Sequence, residues 1–153
     1  MVKQRTIAKE TKVQGVGLHT GKRVNLVFKP AEAGSGIEFV RVDLASQPVI
    51  KVGGDALVER SGSLRCSFLG KDHSQIQTVE HLLAALSGMG IDTIRIEIDG
   101  SEIPGLDGSS REFCELFARA GIRDLDSEAQ VLTVKEPIVI QDGSASITAL
   151  PYD

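Results

Sequence analysis

Glu80 and His81 stand side by side in "TVEHLLAALSGMG" (78–90), a stretch otherwise made of good helix formers. An imidazole can ligate Zn²⁺, and an adjacent carboxylate can take a proton from water activated by the metal, the logic of metal-assisted hydrolysis. The small Ala84 and Ala85 leave room above such a helix. A catalytic zinc needs three protein ligands and an open position. The chain has only His19, His73 and His81, and no other His, Cys or carboxylate has a spacing that sets it beside His81. The plain alternative is a solvated His on an exposed helix face.

The element carrying the pair is predicted from its periodicity. Winding residues 76–87 at about 100° per residue gathers Ile76, Val79, Leu82, Leu83 and Leu86 into one stripe. Glu80 falls at its border, and His81 on the far side with Ala85 beside it. A second helix is expected from about Ser109 to Ala120. Ser109 and Glu112 form an S-x-x-E capping box, Phe113, Leu116, Phe117 and Ala120 form the buried stripe, and Gly121 is the stop.

The remaining text is mostly β. Thr6–Leu18 and Arg23–Phe28 flank "LHTGKR", "GIEFVRVDL" (36–44) follows, and Val49–Val52 and Ala56–Val58 are short strands around Gly53-Gly54. "RCSFLGKDHSQIQ" (65–77) is a hairpin with His73 at its tip. "DTIRIEID" (92–99) alternates, with Ile94, Ile96 and Ile98 on one face, so one side is covered. "GSEIPGLDGSS" (100–110) is a loop in which Asp107 opens the turn before the helix. The polar "RDLDSEAQ" (123–130) is a linker. After it, "TVKE" (133–136) echoes "TIAKE" (6–10), and Asp142-Gly143 marks a hairpin. The division is therefore residues 1–122 as one domain, 123–130 as linker and 131–153 as the opening hairpin of an incomplete second copy.

Composition narrows the class. The 153 residues carry a net charge of −4 with scattered basic side chains, which gives no case for nucleic acid. Apolar runs are too short to span a bilayer, no secretory leader is visible, and Cys66 and Cys114 form neither a disulfide framework nor a C-x-x-C pattern. A reduced, cytoplasmic protein is expected. Cys66 and Cys114 are read as small apolar residues and His73 as an exposed turn residue.

"KQRTI" (3–7), "GVGLHTGKRV" (15–24), "TVEHLLAALSGMGID" (78–92), "EIPGLDGSS" (102–110) and "AGI" (120–122), with "VKEPIVIQDG" (134–143) as a looser match, together resemble the N-terminal part of the UDP-3-O-acyl-N-acetylglucosamine deacetylase family, the zinc enzymes of lipid A synthesis. The resemblance implies an α+β fold, a two-layer β-sheet/helix sandwich of the ribosomal protein S5 domain 2-like type, as the first half of a duplicated two-domain fold with zinc between the halves. It implies His81 as a zinc ligand and Glu80 as the general base. His19, Thr78 and Asp107 are implied as substrate-binding or site-supporting residues. The substrate would be UDP-3-O-acyl-N-acetylglucosamine, losing its N-acetyl group. The family's other two zinc ligands come from a His-Lys-x-x-Asp motif of the second domain, which also supplies a His as general acid and an insert that forms the acyl-chain passage. This sequence has no His-Lys pair and no His after His81, and "RSGSLRCSF" (60–68) departs from the family pattern. The partner implied is the missing second domain, in cis or in trans, and the 153-residue chain alone is expected to be inactive. A fragment, an isolated domain and one chain of a split enzyme all remain open. So does a non-catalytic module that binds a nucleotide sugar or a protein partner.

Overall fold

Alternation along the strands decides which face of the protein is filled. Ile94, Ile96 and Ile98 are fully buried while Arg95 and Glu97 between them are half-exposed, and Val24, Leu26 and Phe28 repeat the pattern. The computed structural model describes residues 2–58 and 66–152. Its strands are β1 Lys3–Ile7, β2 Thr11–Val16, β3 Arg23–Lys29, β4 Ile37–Arg41, β5 Val49–Lys51, β6 Leu57–Val58, β7 Phe68–Leu69, β8 Ile76–Gln77, β9 Ile94–Ile98, β10 Ile122–Glu128, β11 Ile138–Asp142 and β12 Ala145–Ala149. The helices are α1 Glu80–Gly88 and α2 Arg111–Ala120, and the architecture is α+β. Among the described residues no helix is long and apolar enough to cross a membrane.

The main sheet has five strands in the order β2-β3-β9-β4-β5. All neighbours are antiparallel except β4 and β9, which run parallel with Phe39 opposite Ile96. The helices cover its apolar face. From α2, Phe113 and Phe117 meet Phe28 of β3 edge-on, with ring centroids 6.5 and 5.1 Å apart. From α1, Leu82, Ala85 and Leu86 enter the same core. The other face carries charge, with Lys29 Nζ 2.8 Å from a Glu97 carboxylate oxygen and Arg95 Nε 3.6 Å from the other.

The main β expectations stand, with differences of extent. Thr6–Leu18 is broken, because β1 leaves the sheet to pair antiparallel with β10 before β2 begins. That pairing overturns the linker reading of 123–130. The segment is mostly a strand whose Leu125 is buried, with Lys3 opposite Glu128. Its polar text hid it because only one inward side chain is large and apolar. The second helix starts at Arg111, two residues later than expected. The Ser109 hydroxyl accepts the Arg111 N–H at 3.1 Å, and Asp107 rather than Glu112 completes the turn. The four stripe residues of α2 are all buried. Ala85 is buried on α1, not on the far side with His81 as the winding had it, and Leu83 is only half-buried.

The end of α1 is also fixed. The Arg5 guanidinium donates to the carbonyls of Gly90 (2.9 Å) and Met89 (2.8 Å), a cation at a helix C-terminus. Gly90 has φ +62°, and a Cβ there would run into the same guanidinium, so both backbone and space demand glycine.

Candidate active site

A helix whose first turn must expose its side chains needs a chain that enters it sharply. Thr78 supplies that entry. Its φ is +60°, a left-handed conformation that is costly for a β-branched residue. Val79 is already helical and α1 begins at Glu80. The Glu-His pair therefore sits in the first turn of the helix, not in its middle as the sequence pattern implied. There the backbone N–H groups are unsatisfied by the helix and the dipole favours negative charge.

Three segments converge on this turn. Residues 101–105 thread between the 16–20 turn and β8. The Gln77 N–H donates to the Ser101 carbonyl (2.9 Å), the Ile103 N–H to the Gln77 carbonyl (3.1 Å), and the Gly105 N–H to the Val16 carbonyl (3.0 Å). Between these segments and α1 opens a cavity of about 540 Å³. Thr78, His81 and Asp107 line it, with Val16, Leu18 and Leu106 as an apolar rim. Thr78, His81 and Asp107, singled out separately in the sequence, thus come together.

The other two candidates stand differently. The Glu80 carboxylate turns toward Cys66-Ser67 and accepts the Ser67 N–H. His19 is in the turn that walls the cavity, yet its side chain is exposed, and what ties it to the site is its backbone. Asp107 is a turn residue. It accepts the Ser109 hydroxyl (2.8 Å) and N–H (2.9 Å), and the Arg111 guanidinium lies 3.3 Å away. Those two Ser109 bonds, with Arg111 adding to them, hold its carboxyl below the usual range.

Two neighbours were not among the expected site residues: Cys66, read as a small apolar residue, and Glu102, not singled out at all. Cys66 lies within hydrogen-bonding reach of Thr78 and feels the Glu80 charge. Burial first, and that charge second, push its thiol up, so it stays protonated at neutral pH. Glu102 is the larger omission. It is 2% exposed and accepts the His19 N–H (2.8 Å), the Thr20 N–H (2.7 Å) and the Thr78 hydroxyl (3.1 Å). Burial works to raise its pKa, but the Thr20 hydroxyl, the two N–H groups and the Thr78 hydroxyl outweigh it and hold the carboxyl at about 2. The only signal in the sequence was its place at the head of "EIPGLDGSS", an acid preceding the buried Ile103 and Pro104. Of "RSGSLRCSF", residues 60–65 lie outside the described residues; Cys66 and Ser67 border the Glu80 carboxylate as above, and Phe68 is buried in β7.

As a metal site the donor set is partial. Among the described residues no group of three or more His, Cys, Asp or Glu side chains is placed to hold an ion. Of the three histidines, His81 is the one that lines the cavity.

The family model described as UDP-3-O-acyl N-acetylglycosamine deacetylase matches residues 4–153. Proteins named UDP-3-O-acyl-N-acetylglucosamine deacetylase are similar along the whole chain. The one from Myxococcus xanthus is 42% identical over 148 residues, covering 97% of this chain and 46% of its own length. Those from Idiomarina loihiensis and Actinobacillus succinogenes are each 41% identical over 153 residues, covering all of this chain and 49% and 50% of their own lengths. The chain thus spans about half the length of the curated relatives it matches. With the family model matched from residue 4 to the last residue, this chain belongs to the UDP-3-O-acyl-N-acetylglucosamine deacetylase family.

Proposed function

We propose that this chain carries the first-domain half of a zinc-dependent site that hydrolyses the N-acetyl group of UDP-3-O-acyl-N-acetylglucosamine in lipid A synthesis. The observation that carries the reading is the convergence of Thr78, His81 and Asp107 on one cavity, with Glu80 in the same helical turn, in a chain of this family.

In this reading His81 holds Zn²⁺ together with two ligands from a second domain, which also provides the general acid. Zinc supplies Lewis acidity, making water a stronger acid and an amide carbonyl a better electrophile. Glu80 receives the proton of the attacking water. Its bond from the Ser67 N–H engages one carboxylate oxygen; the other, which has no hydrogen bond among the described residues, takes that proton in this reading. The apolar rim of Val16, Leu18 and Leu106 faces the non-polar part of the substrate, and His19, exposed in the adjoining turn, is free to meet a polar group. Residues 131–152 belong in this account to the second domain, the first domain being of the ribosomal protein S5 domain 2-like type and the two a duplication.

The test is reconstitution. The purified chain is dialysed and assayed for zinc and for acetate release, alone and joined to the second half of the Myxococcus xanthus relative. The account predicts well under one zinc per chain and no acetate release alone, with both restored after joining. Tight one-to-one zinc and turnover in the isolated chain would show that the ligands lie elsewhere in it. Saturable binding of a UDP-sugar by the chain, with no activity after joining, would favour a binding module instead.

A further inference from the structure

A buried charge with its donors drawn from two separate segments is more than a filled polar site. Glu102 sits on the strip that passes between the 17–20 turn and the start of α1. One carboxylate oxygen, Oε1, accepts both the His19 N–H (2.8 Å) and the Thr78 hydroxyl (3.1 Å), so a single atom bridges the two walls of the cavity. The other, Oε2, takes the Thr20 N–H at 2.7 Å. A Cβ on Gly17 would overlap Oε2 and stand 2.6 Å from the Thr20 hydroxyl, so glycine at 17 is what lets the carboxylate approach the turn. At the other wall the partner is Thr78, the residue whose positive φ aims the chain into the turn that carries Glu80 and His81. Strain of this kind persists only where neighbours enforce it, and the bond from the Thr78 hydroxyl to Glu102 is such a restraint.

We infer that Glu102 is a positioning residue of the candidate site: its buried carboxylate locks the His19 turn to the strained entry of α1, so that the His19 and Glu80-His81 sides hold one relative geometry. The inference rests on the site reading above, but its decisive readings need no turnover. Two surfaces tied through one carboxylate oxygen move together or not at all, whereas a charge that merely filled space would leave each wall to its own neighbours. The depressed carboxyl pKa fits a group kept ionised for this purpose.

The experiment uses amide hydrogen exchange and NMR shifts on the 153-residue chain and its variants. In Glu102→Gln, the His19 and Thr20 amides should exchange at least tenfold faster and resonances of both residues 17–20 and 78–81 should shift, while the Ile96 and Phe28 amides in the sheet centre keep their protection. Thr78→Val, which removes only one donor, should shift the His19 amide although it lies on the opposite wall. Gly17→Ala and Glu102→Gln should be strongly non-additive, because each displaces the same contact. In the joined enzyme, Glu102→Gln should lower kcat about tenfold with KM within twofold and zinc content unchanged. If Glu102→Gln fails to fold, the Thr78→Val and Gly17→Ala spectra decide. A Thr78→Val chain with an unmoved His19 amide, or additive Gly17→Ala and Glu102→Gln effects, would overturn the inference. An inactive joined wild type would count against the functional reading alone, leaving the exchange data to judge this one.

Discussion

The knot at 17–20, 78–81 and 101–108 and the hairpin at 138–149 are written in similar β-rich, glycine-punctuated text, yet they end in opposite environments. In the knot, Thr78 and Glu102 are buried, and every side-chain nitrogen or oxygen buried among the described residues has a partner. In the hairpin, Ile138, Val139, Ile140 and Ile147 are 52 to 76% exposed, and among the described residues β11 and β12 pair only with each other. The difference is one of partners, not composition. β9 is an inner strand with β3 and β4 on either side and helices above it, whereas a lone two-stranded hairpin is marginal in water. Local sequence specifies a strand, but neighbours decide whether the strand contributes stability.

The comparison is broken or sharpened first by one substitution made twice. Ile96→Ala, in the centre of the main sheet and fully buried, should cost about 3 to 4 kcal/mol in urea unfolding. Ile140→Ala, same residue type and same secondary structure but 67% exposed, should stay within about 0.5 kcal/mol. Similar costs at the two positions would mean that the hairpin is covered in solution.

Glu102→Gln comes next. A carboxyl held at about 2 against an ordinary 4.5 corresponds to roughly 3 kcal/mol of stability at neutral pH, by linkage. The folded pKa is the depressed one, so this contribution is complete above the ordinary value and is lost as pH falls from about 4.5 through about 2. Glu102→Gln should therefore lower Tm at pH 7 and flatten the acid limb of the stability curve, as read by thermal melts at successive pH values. A wild type whose stability does not fall across that window would contradict the bonding of Glu102. Removal of residues 131–153 should change the unfolding free energy of the remainder by less than about 1 kcal/mol, because none of the hairpin's described side chains belongs to the core.

What was legible in the sequence follows the same division. Residue type and a flanking turn placed β3, and periodicity placed β9 and the four buried residues of α2, because each is amphipathic by itself and buries the face its pattern presents. The Asp142-Gly143 turn likewise sits between two paired strands. Non-local partners were not legible. β10 is polar apart from Ile122 and Leu125 and is a strand only because β1, over a hundred residues earlier, pairs with it. The start of α1 was misplaced because a positive φ at Thr78 is imposed by tertiary contacts and has no local signature. Of the candidate site, Glu80 and His81 were singled out by adjacent residue types and family likeness, and Thr78 by family likeness alone. Glu102 was missed because its role depends on donors more than twenty residues away in each case, the Thr78 hydroxyl being the nearest in sequence.

The central claim, that Glu80 and His81 do different work in one zinc site, is tested most directly by measuring zinc content and acetate release together in two variants of the joined enzyme. Glu80→Ala should retain about one zinc per chain and lose turnover by two or more orders of magnitude, since the proton acceptor is gone and the ligand set is not. His81→Ala should lose both metal and activity. A Glu80→Ala enzyme that still turns over, or a His81→Ala enzyme that keeps its zinc, would contradict the account.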